Sequence, residues 1–131
     1  MSALYLDSSA FVKVVVEEAE STALRGFLAA SSARRVSSAL LRTEARRAVR
    51  HLAPEALAAV REGLRRVDLI AIDDRILDAA GILEPRILRT LDAVHLATAL
   101  AVGDDMDVVV TYDERMAVAA ALVGLGTVSP R

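Results

Sequence analysis

Short apolar runs punctuate the chain, and helical spacing fills the stretches between them. Ala3-Leu4-Tyr5-Leu6 ends at Asp7, Leu69-Ile70-Ala71-Ile72 ends at Asp73, and Val108-Val109-Val110 leads through Thr111 to Asp113. A weaker run, Thr127-Val128, follows Gly124 and Gly126, and Arg35-Val36-Ser37 reads as a further short strand. Between the runs, apolar residues recur three and four apart, as in Leu24, Phe27 and Leu28, or Leu57, Val60 and Leu64. Strands that are apolar throughout and alternate with helices predict an α/β domain, a parallel sheet covered on both faces. In such sheets, sites form at the carboxyl ends of the strands. Asp7, Asp73 and Asp113 all fall there.

Two further acids stand out against the helical pattern. A helix over residues 38–52 carries the stripe Leu40, Leu41, Ala45, Ala48, Val49 and Leu52. Glu44 lies inside that stripe, four after Leu40 and four before Ala48. Burying an unpaired carboxylate costs several kcal/mol (roughly, in protein interiors), so it calls for a cation, a proton or a partner. The plainer alternative is an edge glutamate paired with Arg47. Asp92 opens the run from Asp92 to Val102, which has no formal charge until Asp104. A helix apolar all round is a central one. Asp92 is then either its N-cap or a first-turn residue behind a Thr90 cap, with its carboxylate available. Asp7 and Asp113 likewise admit the reading of helix N-caps after strands. Together, four convergent carboxylates repel one another, and an all-oxygen set suits Mg²⁺ or Mn²⁺ rather than zinc.

Composition narrows the class. The 131 residues make one domain, 1–131, and 54% hydrophobic residues supply a generous core. No apolar run reaches the ~18–20 residues that span a bilayer, no secretory leader is legible, and cysteine is absent. These features fit a cytoplasmic protein without disulfides or thiolate metal sites. The net charge of -2 argues against a general nucleic-acid coat. Lys13 is the only lysine, so the positive charge is almost all arginine. A GC-rich genome explains that bias as readily as phosphate binding does. Aromatic residues at 3% offer no base-stacking platform.

Four segments together resemble the PIN-domain nucleases, and within them the VapC-type toxins of toxin–antitoxin pairs. They are the opening Leu4-Tyr5-Leu6-Asp7-Ser8-Ser9-Ala10-Phe11, the segment Ser38-Ala39-Leu40-Leu41-Arg42-Thr43-Glu44, the block Leu91-Asp92-Ala93-Val94-His95-Leu96-Ala97-Thr98-Ala99, and the turn Val110-Thr111-Tyr112-Asp113. The resemblance covers the whole chain. It implies a three-layer fold with a five-stranded parallel sheet of order 3-2-1-4-5 between helices. It implies a metal-dependent endoribonuclease in which Asp7, Glu44, Asp92 and Asp113 are the catalytic acids. Asp7, Asp92 and Asp113 would hold Mg²⁺ or Mn²⁺, and Glu44 would orient or deprotonate the attacking water. In-line attack would leave a 5′-phosphate and a 3′-hydroxyl. Ser9 and Thr111 match hydroxyls that support the acids. Implied partners are RNA, a VapB-like antitoxin and a second copy of the chain, with no membrane.

Other residues carry less. Arg47, Arg86 and Arg89 are candidate phosphate contacts, while Arg42, Arg46 and Arg50 share a stripe that reads as a solvated or partner-binding face. Asp73 and Asp74 are explained by helix initiation. A lone His95 in a buried helix reads as a core residue or a support for a neighbour, and His51 as solvent-facing. Alternatives are a PIN-domain RNA-processing nuclease without toxic role, and a non-catalytic interaction domain. A receiver-like phospho-signalling module lacks its late lysine.

Overall fold

The computed structural model describes residues 2–131. In chain order it contains β1 (Ala3–Leu6), α1 (Ser8–Val15), α2 (Ser21–Ala29), β2 (Arg34–Ser38), α3 (Leu41–Val49), α4 (Pro54–Leu64) and β3 (Asp68–Ile70). There follow α5 (Asp74–Gly81), α6 (Thr90–Val102), a 3₁₀ turn at Gly103–Asp105, β4 (Met106–Val110), α7 (Glu114–Leu122) and β5 (Thr127–Val128). The five strands form one parallel sheet of order β3-β2-β1-β4-β5, which is the order the resemblance implies.

The period of two in β1 divides the core between the faces of the sheet. Leu4 and Leu6 pack with Phe11 of α1, Leu41, Ala45 and Val49 of α3, and Val60 of α4. Ala3 and Tyr5 point the other way, onto Val36, Val109 and Ala99 of α6. Every residue of α6 from Ala93 to Ala99 is buried, as an uncharged helix requires. α5 covers one flank of α6 through Ile76, Val94 and Ala97, and α7 the other through Leu96, Met116 and Ala119. No helix among the described residues is long and apolar enough to cross a membrane.

Three boundaries differ from the sequence expectation, each for a local reason. The helix expected over residues 38–52 begins only at Leu41, because the strand pattern continues through its start. Ser38 is still paired with Ile70, Ala39 N–H donates to Ile70 O at 2.9 Å, and Ser38 Oγ accepts from Leu40 N–H at 3.1 Å. It ends at Val49, since Ala53 precedes Pro54 and is held extended at ψ 152°. The buried stripe therefore narrows to Leu41, Ala45 and Val49, with Ala48 and Leu52 exposed. β3 stops at Ile70 because its partner β2 stops at Ser38. Asp73 then caps α5 by accepting from Ile76 N–H at 2.9 Å, as helix initiation predicts.

α4 approaches α1 closely through Gly63. A Cβ there would lie 2.6 Å from Val15 Cγ1 and 3.0 Å from Phe11 Cζ, whereas one at Gly26 in α2 would meet nothing within 4 Å. Gly26→Ala should therefore raise stability by about 0.5–1 kcal/mol through helix propensity alone. Gly63→Ala should lose that gain and fall below wild type, since overpacking costs about 1–3 kcal/mol. Urea unfolding of the two variants reads both signs.

Candidate active site

The acidic cluster grows out of the pairing of β1 with β4. Leu6 sits opposite Val110, so the next residues of both strands, Asp7 and Thr111, emerge side by side. Asp7 N–H still donates to Val110 O at 3.3 Å. Thr111 Oγ1 donates to Asp7 Oδ2 at 2.5 Å. The other carboxylate oxygen, Oδ1, accepts from Ser9 Oγ at 2.7 Å and from Ala10 N–H at 3.0 Å. Asp7 is thus both the N-cap of α1 and a buried acid at a strand end, and the two sequence readings describe one residue. Of the serine pair, Ser9 faces the acid, and its Oγ also accepts Tyr112 N–H at 3.0 Å.

Asp113 is held the same way, one turn later. Its N–H donates to Thr111 Oγ1 at 3.1 Å, and its Oδ1 caps α7 by accepting Arg115 N–H at 2.9 Å. Thr111 therefore ties together the two acids at the strand ends.

Asp92 lies in the first turn of α6. Neither it nor Thr90 caps that helix, whose N-cap Arg89 makes no side-chain cap bond. Arg89 instead turns to the acids, donating through Nε to Asp92 Oδ2 at 3.1 Å and through a terminal nitrogen to Asp113 Oδ2 at 3.5 Å. Glu44 reaches over from α3, with its side chain 18% exposed, and its Oε1 lies 2.5 Å from His95 Nε2. His95 Nδ1 in turn is 2.7 Å from Tyr5 Oη.

Asp7, Ser9, Glu44, Asp92 and Asp113 thereby line one cleft of about 330 Å³, together with Arg89 and His95. The structure brings all four catalytic candidates to it from four different elements. Arg47 stands exposed on α3 outside the cleft, and Arg86 borders a separate hollow between α5 and α6. His51 is exposed. Tyr5 escaped notice in the sequence. A signal was present: residues two apart on a strand share a face, so Tyr5 lies beneath Asp7, and His95 follows Asp92 at the i, i+3 spacing of one helix face.

The electrostatics favour a cation. Burial raises the Asp7 carboxyl above its ordinary value despite the opposing hydrogen bonds from Thr111, Ser9 and Ala10. The surrounding donors are oxygens, which match hard divalent ions. As arranged among the described residues, no three acids close on one point, and Arg89 links Asp92 to Asp113. The donor set fits a metal by its chemistry, and Arg89 occupies one carboxylate oxygen each of Asp92 and Asp113.

The raised Asp7 carboxyl sets a pH dependence. The folded chain keeps this proton to higher pH than the unfolded chain. Metal-free stability therefore falls as pH rises from about the ordinary aspartate value near 4, through the raised folded value. Asp7→Asn removes that loss. Urea unfolding in chelator should show the variant gaining on wild type as pH rises towards neutral, and a constant difference would contradict the assignment.

A profile of the PIN domain family matches residues 4–122. The chain is 49% identical over 130 residues to Ribonuclease VapC46 of Mycobacterium tuberculosis, covering 99% of each. It is 41% identical to Ribonuclease VapC35 of the same organism, covering 97% of this chain and 96% of that one. Among solved structures, the fold superposes on the sarcin–ricin-loop-cleaving toxin VapC20 of M. tuberculosis with a TM-score of 0.76 at 16% identity, covering 97% and 99% of the two chains. It superposes on a chain of a toxin–antitoxin complex from Klebsiella pneumoniae with a TM-score of 0.74 at 21% identity, covering 99% and 98%. With family profile, full-length relatives and fold all in agreement, this chain belongs to the PIN-domain family, in its VapC branch.

Proposed function

We propose that this chain is a divalent-metal-dependent endoribonuclease, the toxin of a toxin–antitoxin pair, which works at the Asp7–Glu44–Asp92–Asp113 cleft. One observation carries the proposal: four carboxylates meet on one cleft in a chain half identical, end to end, to a VapC ribonuclease.

Asp7, Asp92 and Asp113 would hold the ion, Mg²⁺ or Mn²⁺. Such an ion lowers the pKa of water and offsets charge on the scissile phosphate. Ser9 and Thr111 fix the Asp7 carboxylate by hydrogen bonds to separate oxygens, so it would offer an ion one orientation. Glu44 enters from the opposite wall and is the residue to accept the proton of an attacking water. In-line displacement by that water leaves a 5′-phosphate and a 3′-hydroxyl. Arg89, on the cleft rim and 64% exposed, can turn from the two aspartates to a substrate phosphate. Arg47 and Arg86 lie farther along the surface as secondary phosphate contacts.

The partner reading rests on the surface beside the cleft. A second hollow of about 540 Å³ shares Arg89 and Asp92 with it and is walled by Pro85, Ile87, Leu88 and Val118. Ile87 is 89% exposed and Val118 61%. Apolar surface at the mouth of an acidic site suits an antitoxin segment that carries apolar side chains and a basic residue. The exposed face also suits a homodimer.

The purified chain should cut RNA with Mg²⁺ or Mn²⁺ and stop in chelator. Asp7→Asn, Asp92→Asn and Asp113→Asn should be inert, and Glu44→Gln should lose about 10²-fold or more. Undiminished cleavage by Asp7→Asn would overturn the proposal. Expression in cells should arrest growth, and coexpression of the adjacent antitoxin gene should relieve it; a nuclease that leaves growth untouched is a processing enzyme instead. Arg89→Ala should weaken RNA binding and reduce its logarithmic salt slope by about 1. An unchanged slope removes Arg89 from the phosphate contacts.

A further inference from the structure

Beneath the cleft lies a polar chain that the chemistry above does not use. Tyr5 and His95 are each 1% exposed, on the sheet face covered by α6. Their rings meet edge to face, with centroids 5.8 Å apart and planes at 83°. Tyr5 Oη lies 2.7 Å from His95 Nδ1, and His95 Nε2 lies 2.5 Å from Glu44 Oε1. The chain runs from β1 through α6 to α3. A buried histidine that satisfied only itself would need no carboxylate from another layer.

Donor chemistry gives the chain a direction. A carboxylate only accepts, so His95 Nε2 carries the proton it shares with Glu44. In the neutral ring a proton on Nε2 leaves Nδ1 as an acceptor, and this is the tautomer the chain of contacts calls for. Tyr5, a phenol at neutral pH, is its donor. Removing the hydroxyl would leave Nδ1 buried without a partner and free the ring to take the other tautomer. That tautomer presents an acceptor to the Glu44 carboxylate, and the two lone pairs repel.

We infer that Tyr5 and His95 are positioning residues, which lock the Glu44 carboxylate in one rotation and leave its second oxygen to the cleft. The strand supplies the rigidity. Tyr5 is fixed by the sheet two residues before Asp7, so one strand sets the height of both the ion-facing acid and the base. His95 is one turn below Asp92 on α6, and transmits that height to Glu44. Neither residue touches substrate. This inference rests on Glu44 as the proton acceptor.

The test is a double-mutant cycle on RNA cleavage with Mn²⁺, alongside nitrogen NMR of the imidazole in the wild-type chain. Tyr5→Phe keeps the ring in the core and should lower kcat about 10-fold or more, with KM unchanged. Glu44→Asp withdraws the carboxylate from His95, so adding Tyr5→Phe to it should cost nothing further. Equal fold-losses in both backgrounds would show a merely structural role and overturn the inference, as would an unchanged kcat. The NMR spectrum should show neutral His95 protonated at Nε2. A ring protonated at Nδ1, or at both nitrogens, overturns it even if Tyr5→Phe fails to fold. A wild-type chain that leaves RNA intact overturns the ribonuclease reading, and the ring nitrogens still decide the positioning chain.

Discussion

The burial of the Asp7 carboxylate is the constraint on which the site depends. Asp7 stands at the end of the central strand, 3% exposed, where burial disfavours its charged form. Three hydrogen bonds, from Ser9, Thr111 and the first turn of α1, offset part of that cost. The Thr111 bond exists because β1 and β4 end in register, Leu6 opposite Val110, while the other two are local to the start of α1. The same register sets the Thr111 hydroxyl beside Asp7, and Asp113 N–H donates to that hydroxyl. The parallel sheet thus creates both the electrostatic strain at Asp7 and the geometry through which a cation would relieve it.

The other two acids come from helices, and their placement follows from packing rather than pairing. α6 is buried because it has no charge between Asp92 and Asp104 to expose. Its first turn therefore faces the end of the sheet, and Asp92 with it. α3 lies on the opposite side of the sheet and sends Glu44 over the edge to His95. Arg89 completes the picture by bridging Asp92 and Asp113. A cation already sits against the acids, supplied by the chain itself, and surface ion pairs of this kind are weak enough to exchange.

Much of this was legible in the residues. Uniformly apolar runs gave the parallel sheet, since only a strand buried on both faces can be Val- and Leu-rich throughout. β1 and β5 fall where the runs lie, and the charge-free block of α6 announced its burial. Helix ends were harder. Ser38 extends a strand through a hydrogen bond to a distant segment, and Pro54 stops the preceding helix, so local periodicity overran both ends. Asp7 and Asp113 looked like caps and are caps; their second role depends on which strands become neighbours, which no local pattern encodes. The Tyr5–His95–Glu44 chain joins residues up to 90 positions apart. Only the superposition of strand, helix and sheet edge brings them into contact.

The central claim is that Asp7, Asp92 and Asp113 hold a cation, with Glu44 beside it as the proton acceptor. Anomalous diffraction from crystals soaked in Mn²⁺ tests it most directly. One peak should appear in the cleft within bonding distance of Asp7, Asp92 and Asp113, with Arg89 turned away, and it should vanish in Asp7→Asn crystals. A saturated crystal with no peak in the cleft, or with manganese bound only elsewhere on the chain, would contradict the account.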